Sequence, residues 1–298
     1  MSSNKVEMWQ LQQRQGLPLS VKERYSERRI SAWYGRWNGN VYVSFSGGKD
    51  STVLLHLVRN LYPDVPAVFV DTGLEYPEII EFVRTIDNVV WLKPKMSFFS
   101  VLQKYGYPVI SKMQAQYIEC YRMTGSEKMK DLRWNGKKYN GHLNYKISEK
   151  WKYLVTAPFK ISDKCCDVMK KSPVREYEKA TRQKPFIGIM AVDSIQRKKQ
   201  YLQQGCNVLE GKNQQSRPMA FWLEQDIWDY IKKCNIPYSK IYDMGQTHTG
   251  CMFCMFGVHI GKGENRFQKM KKTHPKKYEY CINILGCGQV LDYIGVKY

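Results

Sequence analysis

VYVSFSGGKDSTVLLHLV, Val41 to Val58, joins two different rhythms. VYVSF is short, β-branched and aromatic, as a strand buried on both faces would be, while Thr52 to Val58 repeats apolar residues at helical spacing. Ser46, Gly47, Gly48, Lys49, Asp50 and Ser51 therefore fall in a strand-to-helix bend. A helix N-terminus carries unpaired N–H groups and the positive end of a dipole, so an anion binds there if side chains leave room. Gly47 and Gly48 leave that room, Ser46 and Ser51 add hydroxyl donors, and Lys49 adds a mobile charge. A bend filled by neighbouring side chains, or facing away from the carboxyl edge of the sheet, would count against this reading. The pattern is not GxxxxGK[ST], which needs glycine where Val43 stands.

Outward from the bend the α/β alternation continues. PAVFVD (66–71) reads as a strand, PEIIEFVRTID (77–87) as a helix with Pro77 in its first turn, VVWLKP as a strand and SFFSVLQKYG as a helix stopped at Gly106. Strand and helix in alternation imply an α/β fold with a mostly parallel twisted sheet and helices on both faces. Between about 111 and 160 the rhythm fails, and an inserted basic, aromatic element is expected. FIGIMAV (186–192) then restores a strand and LEQDIWDYIKKCN (223–235) an amphipathic helix. The expected organisation is a basic helical segment over 1–39, a nucleotide-binding domain over 40–250 carrying the insert, and a cysteine-rich extension over 251–298 packed on it.

The chain has 298 residues, 43% of them hydrophobic, enough for a core, and a formal charge of +20. Basic residues gather at 22–29, 122–152 and 269–277. Each run alone fits a solvated face, but together they suit a polyanionic partner, nucleotide or nucleic acid. In the insert, Tyr117, Tyr121, Trp134, Tyr139, Tyr145, Trp151 and Tyr153 alternate with cations, as in single-strand binding surfaces or in the core of a small subdomain. The opening residues hold no apolar signal core, and no apolar run is long enough to span a bilayer. A cytoplasmic protein without a membrane partner is expected, and the nine cysteines suit a reducing compartment.

SGGKDS, Ser46 to Ser51, resembles the pyrophosphate-binding loop (PP-loop) of the adenine nucleotide alpha hydrolase fold, specifically that of the phosphoadenosine phosphosulfate (PAPS) reductase family. VDTGLEYPE (70–78), GIMAVDSIQR (188–197) and RPMAFWLEQDIWDYI resemble later family segments in the same order. The resemblance covers about 40–110 and 163–287. It implies that an adenine nucleotide, ATP or APS/PAPS, contacts Ser44, Ser46, Gly47, Gly48, Lys49, Asp50 and Ser51 from the loop, Asp71, Thr72 and Gly73 from the second strand end, and Gly188 and Arg197. Lys49 and Asp50 would act in catalysis, and Mg²⁺ would assist near the phosphates. Met190 stands where the family usually has arginine, which removes one anion contact.

Cysteines form the second constellation. KCC (Cys165, Cys166) is followed about 85 residues later by CMFC (Cys251, Cys254). Four thiolates suit a [4Fe-4S] cube, one per iron; zinc or unliganded thiols are the alternatives. CC followed by CxxC resembles the cluster pattern of assimilatory APS reductases. Their nucleophilic cysteine near the C-terminus has a counterpart in Cys287 of GCGQV, although the neighbouring glutamate and histidine are replaced by Gly286 and Val290.

Three functions follow. An ATP pyrophosphatase that adenylates an acceptor and delivers sulfur, as in thiolation enzymes sharing this loop, fits the intact lysine and would need a sulfur donor. A sulfonucleotide reductase using Cys287 and a thioredoxin-like reductant is the alternative. A non-catalytic nucleotide- or nucleic-acid-binding protein is the third.

Overall fold

The computed structural model describes residues 5–139, 142–211, 213–261 and 263–298. The described residues divide into two compact units: those of 5–71, 76–92 and 174–249 form the first, and those of 72–75, 93–173 and 250–298 the second.

The first unit holds strands β1 (Val41–Ser44), β2 (Ala67–Val70), β3 (Val89–Leu92), β4 (Lys184–Ile187), β5 (Asn207–Val208) and β6 (Gln215–Ser216). Its helices are α1 (Met8–Gln15), α2 (Leu19–Arg36), α3 (Lys49–Leu61), α4 (Pro77–Arg84), α5 (Ile195–Gln204) and α6 (Glu224–Cys234). Spatial order is β3-β2-β1-β4-β6-β5. All neighbours run parallel except β5 and β6. The α/β reading with a mostly parallel sheet is what the chain adopts. Val41, Tyr42 and Val43 point alternately to opposite faces, and none is more than 1% exposed, so both faces of β1 are covered. Burying Val41, Val43 and Phe186 stabilises the sheet by roughly 1.5–3 kcal/mol each.

The strand expected over 186–192 ends at Ile187. Beyond it the chain must pass the start of α3: a Cβ on Gly188 would lie 3.0 Å from the Asp50 carbonyl oxygen. A short 3-10 turn, Ala191–Asp193, follows instead of more strand.

Helix α2 is tied into the unit by polar contacts as well as packing. Lys22, 2% exposed, pairs with Asp226 at 2.6 Å, and Trp222 donates its indole N–H to Ser26 Oγ at 3.0 Å. Part of the first basic run is thus an internal strut, and its Lys22 charge is not available to a polyanion.

In the second unit, helices Phe98–Tyr105, Lys112–Met123 and Glu127–Asn135, the hairpin of Lys137–Tyr139 with His142–Asn144, and the 3-10 segment Glu149–Thr156 make up the insert region and its approach. Val109–Ile110 pairs parallel with Met255–Phe256, so the insert shares a unit with the cysteine-rich C-terminal residues. Many insert aromatics serve packing. Trp151 and Tyr117 are 6% and 9% exposed, Arg133 lies 4.3 Å over Tyr117, and Lys152 lies 4.5 Å over Trp134. Tyr145 and Tyr153 remain exposed. The side chain of Tyr139 lies outside the described part. Among the described residues no helix is long and apolar enough to cross a membrane.

Candidate functional site

From β1 the chain continues to β2 and β3 on one side, while β4 lies on the other, so the order reverses between β1 and β4. Crevices at such reversals, outside the carboxyl ends of parallel strands, are where open α/β sheets bind ligands. Ser44 and Ile187 are register partners at those ends. A cleft of about 810 Å³ opens there, lined by Ser44, Ser46, Gly48, Lys49, Asp50 and Ser51, by Gly188 and Arg197, and by Glu224, Tyr242, His248 and Thr249.

The bend is built from the residues singled out above. Gly47 takes φ +71, and a Cβ there would meet Val83 and Ile79 at 2.7 and 2.8 Å, so backbone conformation and space both demand glycine. Ser51 Oγ accepts from the Ser46 N–H at 3.1 Å and donates to the Gly48 carbonyl at 2.9 Å, closing the turn on itself. Helix α3 begins at Lys49 with Gly48 as its cap.

The loop faces the carboxyl edge, but its donors are not all open. The Lys49 N–H donates to the Tyr242 hydroxyl at 2.8 Å, and the Gly48 N–H to Ser46 Oγ at 3.3 Å. Thr249 Oγ1 stands 2.5 Å from where a Gly48 Cβ would be. Lys49 Nζ, on a side chain 2% exposed, reaches the Thr247 carbonyl at 3.3 Å, Glu224 at 3.3 Å and Asp50 at 3.5 Å. The segment Tyr242–Thr249 therefore lies as a strap across the bend, contrary to the expectation of an unobstructed anion cradle. Sequence reasoning missed Tyr242, Thr249 and Glu224.

Burial works against the charge of Lys49, but Asp50, Tyr242 and Glu224 outweigh it and raise its pKa. The Asp50 carboxyl is raised too, by burial first and only partly relieved by Lys49, with the Asp193 charge adding to the rise. Asp50 Oδ1 is buried with no hydrogen-bond partner. That oxygen, whose charged neighbour is the Lys49 ammonium at 3.5 Å and which has Asp193 in electrostatic reach, is the kind of hard donor Mg²⁺ takes. Arg197 is held by Asp193, one turn away on the same stretch of chain, while still lining the cleft. Asp71 does not line it, although its backbone N–H extends the β2–β3 pairing to Leu92. Thr72 and Gly73 belong to the second unit, where the Thr72 hydroxyl donates to Glu75 at 2.8 Å.

The second unit brings all four cysteines of the CC and CxxC motifs into mutual influence. Burial pushes the Cys165 thiol up, and Cys166, Cys251 and Cys254 push it further. Burial likewise raises Cys251 against the pull of Lys170, and raises Cys254 against the pull of Arg266. Lys170 lies 3.5 Å from Glu75, and Arg266 donates to the Cys251 carbonyl at 3.2 Å. Number, softness and flanking cations fit a thiolate-bound cluster. Among the described residues, however, no group of three or more histidines, cysteines or carboxylates is drawn into a metal-binding shell. Cys287 is also in this unit, fully buried.

A model of the phosphoadenosine phosphosulfate reductase domain matches residues 40–133 and 106–256. An uncharacterised protein of Methanocaldococcus jannaschii is 25% identical over 90% of this chain and 51% of its own length. The chain thus spans about half of that relative, and 43% of a second protein from the same organism. The adenosine 5'-phosphosulfate reductase of Geobacillus kaustophilus is 23% identical over 83% of this chain and 86% of its own. Among solved structures, a phosphoadenylyl-sulfate reductase from Candida auris covers 84% of this chain and 98% of its own, with TM-score 0.45 and 16% identity. A U34-tRNA thiolase from Methanococcus maripaludis, solved with its [4Fe-4S] cluster, covers 93% and 82%, with TM-score 0.37 and 14% identity.

Proposed function

Because the chain belongs to the phosphoadenosine phosphosulfate reductase domain family, we propose that it is a nucleotide-dependent enzyme of sulfur chemistry which cleaves ATP to AMP and pyrophosphate. The single observation that carries this is the glycine bend at the β1–β4 strand reversal, with the Lys49 ammonium at its floor. An intact lysine there suits a β,γ-pyrophosphate, which APS and PAPS lack. Main-chain N–H groups at the start of α3 would hold the phosphates once the Tyr242 hydroxyl yields the Lys49 N–H, and Lys49 would neutralise charge on the leaving pyrophosphate. An acceptor oxygen attacks the α-phosphorus, the bond to the bridging oxygen breaks, and pyrophosphate departs. A sulfur nucleophile then displaces AMP from the adenylated acceptor. Asp50 and Asp193 would hold Mg²⁺, which supplies countercharge to the phosphates. Cys165, Cys166, Cys251 and Cys254 would hold an iron–sulfur cluster, which supplies either a rigid fold anchor or electron and sulfur chemistry. The formal charge of +20 favours a polyanionic acceptor, nucleic acid above all.

One panel tests the reading: ATP, APS and PAPS are offered separately, and pyrophosphate, AMP and sulfite are measured. Pyrophosphate and AMP from ATP are expected. Sulfite from APS or PAPS, with no pyrophosphate from ATP, would replace this reading by sulfonucleotide reduction, which the relatives named as adenosine 5'-phosphosulfate reductases favour. Binding of nucleotide with no product would leave an accessory protein.

The strap makes its own prediction. Tyr242→Phe removes the hydroxyl that occupies the Lys49 N–H, a bond worth about 0.5–1.5 kcal/mol. ATP should then bind about 2- to 10-fold more tightly by isothermal titration. Weaker binding would mean that the hydroxyl serves the nucleotide instead of competing with it.

A further inference from the structure

The strap over the glycine bend is built in two parts. Residues 242–246 form a turn, in which the Gly245 N–H donates to the Tyr242 carbonyl at 3.0 Å and the Gln246 N–H to the Ile241 carbonyl at 3.3 Å. Edge-on contacts of the Tyr242 ring with Trp228 and Tyr238, at 5.5 and 6.3 Å between centroids, hold that turn in place. Residues 247–249 are different. Among the described residues their main chain makes no hydrogen bond to another main-chain group, and Gly245, at φ +83 with open space where a Cβ would stand, forms a joint just before them. What holds them down is the Lys49 ammonium, which donates to the Thr247 carbonyl at 3.3 Å, and the Thr249 hydroxyl, 3.4 Å from that of Tyr242. A segment secured so lightly lifts at low cost. His248 sits between those two anchors, exposed, and lines the cleft. Its ring makes no hydrogen bond or ion pair among the described residues. The other cationic side chains lining the cleft are already committed: Lys49 to the Thr247 carbonyl, Glu224 and Asp50, and Arg197 to Asp193. An anion entering the cleft therefore finds in His248 a donor that gives up no protein partner.

We propose that His248 binds the terminal phosphate of the entering nucleotide, and that 247–249 lifts from the bend as it does so, letting the Lys49 ammonium exchange the Thr247 carbonyl for a phosphate oxygen. This rests on the assignment of the cleft to a nucleoside triphosphate made above. The exchange runs toward the ligand, because a phosphate oxygen carries charge and a peptide carbonyl does not. Until the anion arrives, the Thr247 carbonyl keeps a buried ammonium satisfied that would otherwise be costly to hold. Residues 242–246 stay packed through the exchange, so the strap pivots at Gly245 and is not shed as a whole.

The test measures binding by the full chain, with whatever metal it carries, using isothermal titration with Mg²⁺ present. The probes are α,β-methylene-ATP, which cannot release pyrophosphate, and AMP. His248→Gln should weaken binding of the triphosphate about 10-fold, the loss of one hydrogen bond to a charged group, and leave AMP binding unchanged. His248→Lys, which keeps a cationic donor, should restore most of it. The chain has five histidines, so the ring proton signals missing from the His248→Gln spectrum identify those of His248. In the wild type those signals should shift with the triphosphate and stay in place with AMP. Equal triphosphate affinity in wild type and His248→Gln would overturn the proposal. A loss of the same size for AMP would do so as well, because it would mark a structural role for the side chain. Failure of the proposed reaction looks different: a wild type that binds the triphosphate through His248 yet releases no pyrophosphate from ATP keeps this contact and sinks that chemistry. No binding of the triphosphate by the wild type would overturn both.

Discussion

Lys49→Ala is expected to lower ATP-dependent pyrophosphate release by about 10²–10³-fold, the loss that follows removal of a single preorganised group facing developing negative charge. The effect should fall on kcat more than on KM, since the ammonium matters most as the pyrophosphate leaves. The lysine is 2% exposed and faces Asp50 and Glu224, so its loss leaves carboxylates near one another without their countercharge. Lys49→Met keeps most of the buried volume and serves as the folding control, checked by thermal unfolding beside pyrophosphate release. Turnover at the wild-type rate in a folded variant would remove Lys49 from the chemistry and with it the proposed reaction.

Protein isolated without oxygen should be brown, with about four irons and four acid-labile sulfides per chain. Replacing Cys165 or Cys251 by serine should reduce iron to well under one per chain, because a cube short of a thiolate ligand is lost on purification. The thermal unfolding midpoint should fall with it, since metal bound only by the folded state adds its binding free energy to stability. Iron, sulfide and zinc analysis of each variant checks this directly. Stoichiometric zinc without sulfide would replace the cluster, and no metal at all would leave four free thiols, of which Cys165, Cys251 and Cys254 are raised by burial, with Lys170 and Arg266 beside them.

The strand, bend and helix from Val41 to Leu61 were legible because the period of apolar residues changes within a few positions and the glycines mark where. Local rules suffice there. The strap was not legible: Tyr242 meets Lys49 across 193 positions, and nothing about an isolated tyrosine announces the backbone amide it will accept from. Lys22 was misread for the same reason, since its counterion lies 204 positions away. FIGIMAV looked like strand through Val192, yet the pairing stopped at Ile187 because Gly188 had to slip past Asp50. Composition alone read the insert aromatics two ways. The fold uses Tyr117 and Trp151 for packing and leaves Tyr145 outside, a choice that depends on which faces the helices bury. The cysteine motifs were legible by their spacing, and the fold brings Cys165 under the influence of Cys166, Cys251 and Cys254 without drawing three of them into a metal-binding shell among the described residues.

One oxygen of Asp226 accepts from both the Lys22 ammonium and the Leu223 N–H, each at 2.6 Å. The family match begins at residue 40, yet the countercharge for this carboxylate comes from residue 22. The start of the family match and the folding boundary of the first unit therefore do not coincide. A chain trimmed to the match would strand an anion beneath the first turn of α6, the turn that carries Glu224 toward Lys49. The opening helices thus supply, through Lys22, a counterion to the helix that carries Glu224, and are not an appendage to this unit.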